Sequence, residues 1–113
     1  MAPPSKLKIA TGVVTRLVKE EKSYHKEIEQ QEARIKKAET SEGDENAEYT
    51  LKQERQALQE TKNVLPGMKT KIEQAIERLE EELEGNGGEA PEEEVTKAKE
   101  AIAQGKAAMN EAS

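Results

Sequence analysis

Leu51, Leu58, Leu65, Ile72 and Leu79 recur every seven positions through the middle of the chain. Two turns of an α-helix bring such a period back to one face. A strand cannot keep it, because its side chains alternate and an odd spacing would throw them to opposite faces. Any fold must therefore place a long helix here. The same run holds Pro66 and Gly67, the two residue types a helix interior accepts least. Pro66 stands beside Leu65 on the flank of the seam, and the spacing continues unbroken from Leu65 to Ile72. That combination predicts a kink within one helix, not a break.

Two more seams flank this one. Leu7, Ala10, Val14, Leu17, Glu21, Tyr24, Ile28, Gln31, Ile35 and Ala38 alternate by three and four, as do Val95, Ala98, Ile102, Gly105 and Met109. The segments TSEGDEN (40–46) and EGNGGEAP (84–91) gather the turn-forming residues and read as connections. Pro91 suits the start of a third helix, with Glu92, Glu93 and Glu94 at its positive end. Helices are expected at about 6–40, 46–84 and 91–111 within a single domain, 1–113. Short links make neighbours antiparallel, so the expected fold is all-α, an up-down-up three-helix bundle with coiled-coil-like heptad packing. The third helix is the shorter, ~30 Å against ~50–60 Å for the others.

Folding helix 2 back along helix 1 sets residue i of the first opposite about residue 86 − i of the second. Helix 3 then covers helix 2 only from about Leu83 back to Pro66. The apolar stripes agree. Met68, Ile72, Ala75, Ile76, Leu79 and Leu83 form a wide face, whereas Ala47, Leu51 and Leu58 form a thin one with Glu54 and Thr61 in alternate slots. Helix 1 is dense over Ile9, Ala10, Val13, Val14, Leu17 and Val18 and sparse beyond. A three-helix base is expected to carry a two-helix extension, with Pro66 near the place where the third helix gives out.

Composition narrows the function. Charged residues make up 37% and aromatics 2%, with no Phe, Trp or Cys, which excludes a disulfide framework, zinc thiolate sites and a cysteine nucleophile. The start MAPPSKLKIATG has no apolar signal-peptide core, and no run approaches membrane-spanning length. A cytoplasmic protein is the expectation. A net charge of −6 argues against nucleic acid as the main partner. The charge is uneven: residues 1–40 carry 9 basic and 6 acidic side chains, residues 41–84 carry 6 and 12, and residues 85–113 carry 3 and 6. A basic first helix beside two acidic ones favours their association.

No catalytic motif is present. His25 is the only histidine, with Glu21 and Glu29 at helical spacing, and the group reads as a surface ion pair rather than a metal ligand set or an oriented base. The glutamate runs 80–82 and 92–94 lack the loop spacing of an EF-hand. Gly87 and Gly88 belong to a linker. Catalysis wants a dry concave pocket, which narrow helices with small aliphatic seams do not form, so the chain is expected not to be an enzyme and to need no cofactor or metal. The seams lack Trp and Phe and the charge is wrong for anionic lipid, so no membrane partner is expected.

Two stretches carry a resemblance: KIATGVVTRLVKEEKSYHKEIEQQEARI (8–35) and ETKNVLPGMKTKIEQAIERLEEEL (60–83). The order of helices, the TGVV-R-LVKE opening and the proline inside helix 2 resemble the tubulin-binding cofactor A family, over nearly the whole chain. The resemblance implies a three-helix bundle that is a non-catalytic, cytoskeleton-associated chaperone. Such a protein captures β-tubulin, or a folding intermediate, after release from the cytosolic chaperonin and holds it for later assembly factors. It implies no nucleotide or metal, and contacts made by helices rather than loops.

The residues themselves suggest where those contacts lie. Gly12 leaves room for another backbone to approach closely, or marks a frayed helix start. Arg16, Lys19 and Glu20 lie off the seam, Tyr24 can serve either side, and Arg and Tyr are common interface anchors. Lys62 and Pro66 add a surface where the proline frees a carbonyl and bends the helix. The reading from another class is a structural coiled coil that dimerises through the 22–64 hairpin; the chaperone reading favours a monomer.

Overall fold

Ser5 opens the first helix by a specific bond: its hydroxyl accepts the backbone N–H of Lys8 at 3.1 Å, which satisfies one of the orphan donors of the first turn. A computed structural model describes residues 5–40 and 45–110, with nothing said of the side chain at position 45. It places α1 at Lys6–Glu39, α2 at Glu45–Asn86 and α3 at Glu92–Asn110. No strand occurs among the described residues. The expected connection at 40–46 falls largely on residues 41–44, and the expected last residue of helix 3 on 111, outside the described residues.

α2 passes through Pro66 as one helix and not two. At its far end Gly87 donates its N–H to the Leu83 carbonyl at 2.8 Å, and a Cβ at position 87 would collide with that oxygen. Only glycine closes the helix this way. The Pro91 carbonyl then accepts from Glu94 and Val95 at 3.0 and 3.2 Å and starts α3, whose first turn carries Glu92, Glu93 and Glu94. Carboxylates there meet the positive end of the helix dipole.

The three helices pack up-down-up. α1 and α3 run side by side: the Ser5 hydroxyl donates to Glu94 Oε1 at 2.6 Å, and Val14 lies beside Gly105. α2 runs against both, with Lys106 Nζ 3.5 Å from Glu80 Oε2 and Arg34 Nε 3.3 Å from Glu54 Oε2. Arg34 thus meets position 54, close to the 52 expected of simple folding.

One continuous core joins Leu7, Ala10, Val14, Leu17 and Val18 of α1 with Met68, Ile72, Ala75, Ile76 and Leu79 of α2 and three alanines of α3, Ala98, Ala101 and Ala108. Counting back from the contact of Gly105 with Ile76, Asn110 reaches about the level of Lys71. α3 therefore stops about one turn short of Pro66. Beyond it the seam is carried by two helices, and only Ile28, Ile35 and Leu65 are buried among its apolar residues. Leu51, Ala57 and Leu58 are half-buried. Thr61 occupies a core slot at no polar cost, because its hydroxyl donates to the Ala57 carbonyl at 3.0 Å. The result is a rod of 67 × 29 × 16 Å, with a radius of gyration of 19.6 Å. A compact chain of this length would measure about 13 Å, so most side chains border solvent and any function lies along the flanks.

Candidate functional site

Three helices leave three grooves, and α3 fills the one between α1 and α2 from one side only. The opposite side stays open. Ile9, Ala10 and Val13 of α1 face Ala75 and Arg78 of α2 across one cleft, with Lys6 and Glu82 at its end. The cleft continues into a second, shared at Val13, Ala75 and Arg78, where Arg16 and Glu20 face Lys71 and Gln74. Ile9 is 54% exposed there, against the expectation that it joins the dense core face. The reason is rotation: the Leu7–Ala10–Val14 line owns the seam, and position 9 sits ~100° back from Ala10 on the helix.

The groove is basic in an acidic chain. Lys6, Arg16, Lys71 and Arg78 line it against Glu20 and Glu82. Lys6, Lys71 and Arg78 make no ion pair among the described residues, and Arg16 has only Glu20, one turn on, at 3.9 Å. Both members of that pair are largely exposed, so it contributes less than ~1 kcal/mol and yields readily to a better partner. The groove is an apolar floor between cationic lips, open along its length.

The sequence-derived candidates divide. Arg16 and Glu20 belong to the groove, and Tyr24 lines a further cleft farther along the same α1/α2 flank with Val64. Gly12 and Lys19 stand on the exposed outer ridge of α1. Gly12 lies well inside the helix rather than at its start, and nothing comes within 4 Å of a Cβ built there. Among the described residues the chain makes no close approach at Gly12. Lys62 and Pro66 are exposed on the other flank of α2: Pro66 lies ~200° around the helix from Val64. Lys71, Arg78 and Ile9 were missed. The signal available was their common offset from the seam, but which side α3 takes decides whether such residues are covered.

The reading of His25 needs correction. Glu21 is fully buried, not a surface carboxylate, and His25 Nε2 lies 3.4 Å from its Oε1. Neither carboxyl oxygen has a hydrogen-bond partner, nor has His25 Nε2. Glu29 is exposed and forms no ion pair among the described residues. The α1 seam passes through position 21 and carries the side chain inward whatever its chemistry. Among the described residues no group of three metal-ligating side chains forms, and no helix is long and apolar enough to cross a membrane.

The family model described as tubulin binding cofactor A matches residues 2–102. Tubulin-specific chaperone A of Mus musculus is 40% identical over 86 residues, which is 74% of this chain and 77% of that protein. The Saccharomyces cerevisiae protein of the same name is 35% identical over 99 residues, 88% of this chain and 89% of its own. Among solved structures, tubulin folding cofactor A from Arabidopsis thaliana superposes with a TM-score of 0.76 at 31% identity, covering 89% of this chain and 92% of that one.

Proposed function

The chain belongs to the tubulin binding cofactor A family, and from that premise we propose that it is a cytoplasmic, cytoskeleton-associated tubulin-folding chaperone that captures β-tubulin. It holds β-tubulin, or a folding intermediate, after release from the cytosolic chaperonin and passes it on for heterodimer assembly. The observation that carries this reading is the open basic groove between α1 and α2, apolar along its floor and unoccupied by α3. Holding is a matter of differential binding: a surface that covers apolar and acidic patches of an incompletely assembled protein lowers its free energy without chemistry. No nucleotide, metal or catalytic group takes part.

Arg16 and Glu20 belong to this surface, with Gly12 and Lys19 on the adjoining ridge and Tyr24 continuing it along the rod. Lys62 and Pro66 face away, and a partner reaches them only by wrapping round the rod, which is 16 Å across its narrowest dimension. Cationic lips on a chain of net charge −6 steer an acidic partner while discouraging self-association, so capture weakens as salt rises.

Gel filtration with light scattering tests the proposal against the scaffold reading, which Tyr49, 66% exposed on α2, would favour. The purified chain alone is expected at the mass of a monomer, and with β-tubulin freshly released from chaperonin as a one-to-one complex. A stable dimer that leaves β-tubulin in a separate peak would support the scaffold instead.

A further inference from the structure

Past the end of α3 the same flank changes its chemistry. Tyr24, Glu27 and Gln31 of α1 face Ala57, Glu60 and Val64 of α2 across a cleft of 290 Å³. Its floor contains an unanswered acceptor. Gln31 is 3% exposed, and its buried Oε1 has no hydrogen-bond partner. Leaving a buried amide oxygen unpaired is unfavourable, and nothing among the described residues relieves it.

The lips carry two more acceptors. Glu27 and Glu60 are exposed and make no ion pair among the described residues, while the nearby arginines are taken elsewhere, Arg34 by Glu54 and Arg55 by Glu39. One wall is aliphatic, Ala57 with Val64, which is 38% exposed, and Tyr24 adds a ring. An amide oxygen below, two carboxylates above, an apolar wall and a phenol describe the complement of one side chain. Arginine has a long apolar stem, a planar fork of five donors that suits several acceptors at once, and a cation that stacks on aromatic rings. Lysine shares the stem and the charge but not the fork.

We propose that this cleft receives an arginine side chain presented by the captured tubulin. The inference rests on the reading of the partner given above. It also supplies an orientation: Glu27 lies ~16 Å along α1 from Arg16, so the flank is basic beside α3 and acidic beyond it. A partner with an acidic patch and an arginine at that separation docks in one direction only.

The cleft can be tested with and without tubulin. The ¹⁵N-labelled full chain is titrated with N-acetyl-arginine amide, and with N-acetyl-citrulline amide as an uncharged isostere. Arginine is expected to shift the Gln31 side-chain amide and the backbone amides of Tyr24 and Val64, citrulline to leave them in place, and Glu27→Gln with Glu60→Gln to abolish the response. Equal shifts with citrulline, or shifts scattered over carboxylates along the whole rod, overturn the proposal. In the second arm the same double variant, both positions being exposed, keeps its helicity and captures β-tubulin roughly tenfold more weakly. Undiminished capture by the variant overturns the proposal and leaves the chaperone reading standing. If the parent chain captures nothing, the chaperone reading fails and the arginine amide alone decides the cleft.

Discussion

A chain carrying Glu21→Leu unfolds at a temperature about ten degrees higher than its parent. The substitution removes a carboxyl group that is completely buried and whose oxygens have no hydrogen-bond partner among the described residues. The neighbouring His25 Nε2, at 3.4 Å, lies within ion-pair distance but makes no hydrogen bond to it. A buried polar group in this state costs about 1–3 kcal/mol. Leucine has a similar reach and fits the apolar seam that Val14, Leu17 and Ile28 already define on α1. Replacing a buried polar group that lacks a hydrogen bond by an apolar one of similar shape recovers that penalty, about 1–3 kcal/mol. His25 keeps its own unpaired nitrogen, so a gain of about 2 kcal/mol is the expectation. Thermal unfolding followed by circular dichroism reads it directly. A melting temperature that falls would mean that Glu21 has a partner in solution and that the two-helix half is held by a polar bond.

Gly105→Leu has the opposite outcome: α3 leaves the bundle. A Cβ at position 105 would stand 2.7 Å from Ile76 Cδ1, 3.0 Å from Ile76 Cγ1 and 3.3 Å from Val14 Cγ1. Alanine is tolerable, because Ile76 can swing its terminal methyl and the helix gains ~1 kcal/mol in propensity over glycine. Leucine adds three further carbons where both neighbouring helices already close in, an overpacking of ~1–3 kcal/mol or more. α3 has little with which to resist. Its fully buried side chains are Ala98, Ala101 and Ala108, each contributing a single methyl, with Val95, Ile102 and Met109 only partly buried against the core. Once detached, α3 loses the tertiary packing from which a protein helix draws most of its stability. About a fifth of the helical signal is expected to vanish, α3 supplying 19 helical residues against 34 and 42 from α1 and α2. Protease cleavage within α3 should appear, and Gly105→Ala should show neither. Full helicity in the leucine variant would show that α3 is not seated against Ile76 and Val14.

Much of this fold was written in the spacing of apolar residues. Heptads demand a partner along one face, and every buried position of α1 except Val18 lies on its three-and-four seam, Glu21 and Gln31 included. Period decides direction even when chemistry objects, which is why His25 and Glu21 were misplaced when they were judged by charge alone. Gly105 was legible as a seam position but not as the point of closest packing, since that depends on which rotamer Ile76 adopts. The register was legible only approximately: Arg34 meets Glu54, close to the 52 that simple folding expects. Of the candidate surface, Arg16 and Glu20 could be picked as residues off the seam. Their companions Lys71 and Arg78 lie across a groove that exists only because α3 chose the other side. Nothing in the spacing of α1 or α2 states that choice. The arginine-shaped cleft was invisible for the same reason, being made by Gln31 and Val64 from two helices.

We propose that the open side of the α1/α2 pair, and not the α3 side, holds β-tubulin. Two double variants with the same change in net charge decide it: Arg16→Glu with Arg78→Glu in the groove, and Lys97→Glu with Lys99→Glu on α3. All four positions are exposed, so circular dichroism should find both chains as helical as the parent. In a β-tubulin capture titration the groove variant is expected to lose at least roughly tenfold in affinity, and the α3 variant to stay within about twofold of the parent. Equal losses in both would reduce the groove to a bulk charge effect. Loss confined to the α3 variant would contradict the account outright.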